Sequence, residues 1–182
     1  VRTMEMEVKK AQQGDLDAFV RLMRNLESQL YGLAKSILRH DEDCADAMQE
    51  TMLKAYKSLT SLRKPEFFKT WMIRILINEC NQLLRNRKRT VVMNELPEAS
   101  NPATSYYGDY QKIDLEEAVN SLDETLRIVI HLFYYQDLPI KQISEVLNIS
   151  KGAVKGRLHR ARGILADWMK NRKEEDVSYE PI

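Results

Sequence analysis

Between Ser150 and Arg162 the chain reads Ser-Lys-Gly-Ala-Val-Lys-Gly-Arg-Leu-His-Arg-Ala-Arg, a spacing of residue types suited to touching DNA. At about 100° per residue, Val154, Leu158, Ala161 and Leu165 make an apolar stripe. Gly152, Gly156, His159 and Gly163 fall opposite it, flanked by Lys155 and Arg160. Small residues at the centre of such a face let a helix backbone approach base edges. The cations beside them reach phosphates or guanine, and the imidazole is placed for a base or methyl contact. The chemistry expected here is recognition, not bond-making. A solvated basic face is the plainer reading, but three glycines in one helix each cost about 1 kcal/mol against alanine. A helix with only a structural role has little reason to carry them.

The segment before it supplies the element that must hold this face. Ile143, Val146 and Leu147 lie at helical spacing in a short helix over about Ile140 to Leu147. Asn148 suits the left-handed stop, Ile149 plugs the turn, and the Ser150 hydroxyl caps the following helix. Two short helices and a tight turn, the second helix basic, form a helix-turn-helix whose second helix enters the major groove.

Composition bounds the rest. A chain of 182 residues with 43% hydrophobic and 30% charged residues is ordinary for one globular domain or two small ones. The net charge is only +1, but the signs are segregated. Positive charge gathers at Arg85, Arg87, Lys88 and Arg89 and from Lys151 to Lys173; negative charge gathers from Asp41 to Glu50. Local patches steer a polyanion even when the total cancels. Cys44 and Cys80 have no C-x-x-C partner or histidine cluster, so neither zinc nor a disulfide framework is suggested, and no cofactor is expected. Two thiols buried in a reducing compartment are expected instead. His40 and His131 are isolated and read as structural. Asp41, Glu42, Asp43 and Asp46 are the only dense carboxylates, and a helix start explains them, so no enzyme is expected. No run approaches 18 apolar residues and no signal-peptide pattern stands at the start, which points to the cytoplasm.

Almost every segment has a period near 3.6, and strand signals are nearly absent. Asp15 caps a long helix with the stripe Leu16, Phe19, Met23, Leu26, Leu30, Leu33 and Ile37. A second, about Asp43 to Ser61, shows Met48, Met52, Ala55 and Leu59 on one side, with Asp46, Gln49, Glu50 and Leu53 largely off it. After Pro65 a third, about Glu66 to Asn86, carries Phe68, Trp71, Met72, Ile75 and Leu76, with Trp71 read as core. From about Thr90 to Ile113 the pattern dissolves among Asn94, Pro97, Asn101, Pro102 and Gly108 into an acidic, tyrosine-bearing linker. Periodicity returns at Asp114, and Ser121-Leu-Asp-Glu124 matches a capping box opening a strongly apolar helix with Leu126, Val129, Ile130, Leu132, Phe133 and Tyr134.

With these pieces assembled, the chain resembles a bacterial sigma-70-type factor of the small extracytoplasmic-function (ECF) class over roughly Gly14 to Met169. Asp46-Ala-Met-Gln-Glu-Thr-Met-Leu-Lys-Ala-Tyr-Lys-Ser-Leu59 is similar to the family's polymerase core-binding helix. Phe68-Lys-Thr-Trp-Met-Ile-Arg-Ile-Leu-Ile-Asn78 is similar to its promoter −10 segment, and Val154 to Arg162 to its −35 recognition helix. The resemblance implies an all-α chain with two small helical domains. A sigma-2-like bundle over residues 1–90 and a sigma-4-like helix-turn-helix domain over 114–182 would be joined by a flexible acidic linker, 91–113. It implies a subunit of RNA polymerase that reads −10 and −35 elements and leaves nucleotide chemistry to the polymerase.

Residue roles follow from the same resemblance. Asp46, Gln49, Glu50 and Leu53 would face the β′ clamp helices of core polymerase, with the β flap as a further contact. The segment Ser58 to Lys69 would catch a flipped −10 base, with Leu62 and Asn78 in its pocket and Arg74, Arg85, Arg87 and Lys88 holding the opened strand. Ser150, Lys151, Lys155, Gly156, His159 and Arg160 would meet the −35 DNA, and Arg157 and Arg162 would pair with phosphates or acidic side chains. Factors of this class are commonly restrained by an anti-sigma protein, often membrane-anchored. Two positions depart from the family pattern. Asp123 stands where many members have proline, and Gly156 replaces a residue that is often small and polar. The rival reading is a stand-alone helix-turn-helix repressor or activator, which leaves the N-terminal domain unexplained.

Overall fold

The structure is a computed structural model that describes residues 2–93 and 110–177, with side chains described over 3–87 and 115–171. The linker calls on 94–109 and the side-chain calls on Lys88 and Arg89 lie outside those residues. Among the described residues every regular element is helical. The chain divides into two units, Val1–Glu98 and Ala99–Ile182.

Among its described residues the first unit holds four α-helices: α1 (Arg2–Gln12), α2 (Leu16–Leu38), α3 (Asp41–Ser58) and α4 (Phe68–Met93). Two 3₁₀ turns, Leu59–Ser61 and Pro65–Phe67, link α3 to α4. Asp15 caps α2 as its sequence suggests, its carboxylate accepting from the Ala18 amide at 2.9 Å. Arg39, at φ 66°, ends α2 in the left-handed region. The stripe from Phe19 to Ile37 is buried against Met48, Ala55, Phe68, Met72 and Leu76, forming one core among α2, α3 and α4. Leu16 is the exception. It is 56% exposed because it occupies the first position of α2, ahead of the packed turns.

Helix α1 is an element that sequence reading passed over. Its apolar signal is short, yet Val8 and Ala11 are buried, and Glu7 binds Arg21 of α2 at 2.6 Å. Gly14, at φ +99°, makes the turn into α2 that a side chain would strain. Helix α4 runs on to Met93 rather than fraying near Asn86, because Thr90 to Met93 contain no breaker and the first ones are Asn94 and Pro97. Trp71, expected in the core, is half-buried and packs at 6.0 Å from Phe68, which takes the central place instead.

The second unit comprises α5 (Tyr110–Ser121), α6 (Glu124–Ile130), a π-helical turn at His131–Tyr135, α7 (Ile140–Leu147) and α8 (Lys151–Val177). Its core joins Val119, Leu122, Val129, Leu132, Ile143, Val154 and Leu158. The capping box expected at Ser121 does not form. Asp123 caps α6 through the Thr125 amide at 2.9 Å, while Ser121 ends α5 and donates to the Ala118 carbonyl. A carboxylate two residues before Thr125 reaches the free amides directly, and the Thr125 hydroxyl donates to it as well, at 2.6 Å. Arg127, only 2% exposed, donates to the Leu122 and Asn120 carbonyls and so closes the end of α5.

Candidate nucleic-acid and protein interfaces

The helix-turn-helix forms with the expected local geometry. Asn148 stands at φ 52° and stops α7, Ile149 is half-buried, and Ser150 Oγ accepts from the Ala153 amide at 3.1 Å. Val154, Leu158 and Ala161 of α8 are buried and Leu165 is half-buried. Ser150, Lys151, Gly152, Lys155, Gly156, His159, Arg160 and Gly163 are all exposed, so the six candidate DNA residues share the outer side of one helix start. A β-carbon at Gly156 or Gly163 would meet nothing within 4 Å. The fold itself therefore does not require these glycines, and their helix cost is left to be explained by something that approaches from outside.

Arg162 differs from expectation. Its Nε donates to the Tyr134 hydroxyl at 2.8 Å, and its guanidinium lies 5.5 Å from the ring centres of both Phe133 and Tyr134. It braces α8 on the π-helical turn, a partnership 28 residues apart that spacing along one helix cannot reveal. His131 stacks on Tyr135 at 4.6 Å. Burial, with help from the nearby Arg127 charge, lowers its pKa to about 4, so it stays a neutral structural ring.

In the first unit, Asp46, Gln49, Glu50 and Leu53 are brought together on the exposed side of α3. They line a shallow groove of about 330 Å³ whose other wall is Glu79, Gln82, Leu83 and Asn86 of α4. Leu53 is 53% exposed although it is fully apolar. Beside it, Lys54 is held at 2.7 Å by Glu79, which is only 8% exposed, and stands 3.5 Å from Glu50. The Glu79 bond, with the neighbouring carboxylates, raises the Lys54 pKa. An apolar floor rimmed by carboxylates and amides fits a basic, partly apolar helix. The α4 wall was missed in the sequence because Glu79, Gln82 and Asn86 look like an ordinary polar helix face until α3 is laid beside them.

Helix α4 carries a separate exposed row. Arg74, Asn78 and Arg85 recur at i, i+4 and i+11 and point the same way, roughly 110° around the helix from the groove wall. Arg87 does not join this row. Its guanidinium lies 2.8 Å from the carboxylate of Asp43, tying the far part of α4 to the start of α3. Leu62 is half-buried in the turn before α4, whereas Asn78 lies ten residues, about 15 Å, along the helix from Phe68. The two pocket candidates thus stand on different elements.

Two of the carboxylates at the start of α3 are held by cations. Asp41 accepts from Tyr31 Oη at 3.0 Å and pairs with Lys35 at 3.0 Å, which together hold its pKa below the usual range. Asp43 binds Arg87. No group of His, Cys, Asp or Glu suited to a metal occurs among the described residues. Cys44 and Cys80 are fully buried, and burial pushes their thiols up to about 11 and about 12. Both should therefore resist a thiol-reactive disulfide reagent in the native protein and react together on unfolding; native-state labelling of either would contradict their burial.

Two family models match the chain: sigma-70 region 2 over residues 22–90 and sigma-70 region 4 over residues 112–165. The chain is 32% identical over 133 residues to RNA polymerase sigma factor SigV of Bacillus subtilis, covering 72% of this chain and 78% of that one. It is 31% identical over 156 residues to ECF RNA polymerase sigma factor SigM of Mycobacterium tuberculosis, covering 84% and 78%. Among solved structures its fold is similar to the sigma factor RpoE in complex with the anti-sigma factor NepR from Bartonella quintana. That match has a TM-score of 0.74 at 24% identity, over 85% of this chain and 98% of the other. It is also similar to CnrH in complex with the cytosolic domain of CnrY, with a TM-score of 0.67 at 24% identity, over 92% and 97%. An all-helical chain with a region-2 unit, a region-4 helix-turn-helix and these relatives belongs to the sigma-70 family of RNA polymerase sigma factors, in its extracytoplasmic-function class.

Proposed function

We propose that this sigma factor docks on core RNA polymerase through the α3–α4 groove. In that complex it directs initiation by opening a −10 element on α4 and reading a −35 element with α8. The observation that carries the reading is the division of exposed surface. Acidic and apolar residues line one groove, and cations line two separate helix faces. Asp46, Gln49, Glu50 and Leu53 meet the β′ clamp helices, and the region-4 unit meets the β flap. Leu62, Arg74, Asn78, Arg85, Arg87 and Lys88 serve the −10 strand, with Arg87 leaving its Asp43 pair to do so. Ser150, Lys151, Lys155, Gly156, His159 and Arg160 serve the −35 duplex. Residues 1–90 and 114–182 act as the two functional domains and 91–113 as their tether.

The chain performs no bond chemistry of its own and works in the cytoplasm. No described helix is long and apolar enough to cross a membrane. RpoE was solved with the anti-sigma factor NepR and CnrH with the cytosolic domain of CnrY; the first likeness supports restraint of the present chain by an anti-sigma protein, and the second suits a membrane-anchored one. A stand-alone repressor would leave the α3–α4 groove without a partner. The two readings separate in a gel-shift assay on duplex promoter DNA. The sigma factor needs added core polymerase to form a stable specific complex, and tight specific binding by the protein alone would support the repressor instead.

A further inference from the structure

The α3–α4 groove is acidic by its own lining. Asp46, Glu50 and Glu79 contribute carboxylates, and none of the described residues that line it is a cation. A positive charge reaches these carboxylates from the side. Lys54 Nζ stands 2.7 Å from a Glu79 carboxylate oxygen and 3.5 Å from one of Glu50. The closer pair is unevenly buried: the Glu79 side chain is 10% exposed and that of Lys54 is 42% exposed.

A carboxylate so nearly buried is costly to leave without a counter-charge, so the Glu79 site demands a cation. It does not demand this one. Lysine is a compact point charge on a flexible four-carbon stem, and Lys54 is open enough to swing into solvent and be hydrated there. Arginine is more weakly hydrated, and its planar fork pairs a carboxylate through two parallel hydrogen bonds. An arginine brought to the groove therefore holds Glu79 better than Lys54 does.

We propose that Lys54 is a displaceable plug of the groove: it holds the Glu79–Glu50 site in the free protein, and an arginine of the docking partner takes its place in the complex. This rests on the reading that the α3–α4 groove receives core polymerase, and it adds the chemistry of the occupant, a helix with an arginine beside apolar residues. The apolar residues meet Leu53 and Leu83, which line the same groove. Docking is then an exchange of cations in which Glu79 is neutralised before and after. A basic segment without an arginine in register must compete with a tethered lysine and gains little, so the plug selects among cationic partners.

The exchange fixes the sign of each variant, read by titrating labelled full-length protein with core polymerase over a range of salt. Lys54→Met keeps the bulk of the stem and leaves Glu79 to solution ions. Core binding should tighten about fivefold and fall more steeply with salt, because docking then also releases a counterion. Lys54→Arg should act in the opposite sense and weaken core binding about fivefold, since its fork grips Glu79 and is harder to displace. In a Glu79→Gln background both changes should lose their effect on core binding. Weaker binding by Lys54→Met, or equal binding by wild type, Lys54→Met and Lys54→Arg, would overturn the plug. If Lys54→Met does not fold, unchanged or tighter binding by Lys54→Arg overturns it alone. When the plug fails but Gln49→Ala with Leu53→Asp still weakens core binding, the groove stands as the docking site. When that variant also binds like wild type, the docking reading falls with the plug.

Discussion

Replacing Lys155 and Arg160 together by alanine is expected to abolish transcription that depends on a −35 element and to leave core-polymerase binding unchanged. Both side chains are exposed on α8, and neither has a partner whose loss would destabilise the fold among the ion pairs and hydrogen bonds described above. The stripe that holds α8 to the protein, Val154, Leu158 and Ala161, is untouched. A side chain that reads a base contributes about 1–3 kcal/mol, so removing two cations at the centre of the face corresponds to a loss of about 100-fold or more. Run-off assays on a −35-dependent template and titration of labelled protein with core polymerase separate the two effects, because only the first should collapse. Wild-type transcription by the double variant would move the recognition surface off the start of α8.

The second large effect is expected in the first unit. Gln49→Ala with Leu53→Asp should weaken core binding by about 100-fold while leaving the unfolding temperature near that of wild type. Leu53 is 53% exposed in the free protein, so burying it against a partner contributes about 1.5 kcal/mol or more. An aspartate there forfeits that burial and adds the cost of desolvating a charge. The Lys54–Glu79 pair and the buried residues of α3 stay as they are, which is why stability should hold. Titration of labelled protein with core polymerase reads the effect, and unchanged affinity would place the interface elsewhere.

These expectations could be drawn in part before any coordinates, and the reasons are local. The helix-turn-helix was legible because its signals are short-range: an asparagine stop, a serine cap, and an apolar stripe opposite glycines and cations. The α3 face was legible for the same reason, since Asp46, Gln49, Glu50 and Leu53 recur on one helical surface. What sequence missed depends on elements meeting across the chain. Arg87 finds Asp43 from 44 residues away, and Gln12 finds Leu62 from 50. Glu79 becomes part of a groove only when α4 lies against α3. The Ser121 box failed for a subtler reason: two competing caps, a serine and an aspartate two residues apart, fit the same stretch. The backbone turns at Asp123, and that alone decides between them.

Run-off transcription with purified core polymerase on fragmented genomic DNA, with and without this protein, tests the sigma function directly. Discrete new start sites should appear only when the protein is added, each preceded by shared −10 and −35 sequences. No new starts, together with tight sequence-specific binding of duplex DNA by the protein alone, would contradict it.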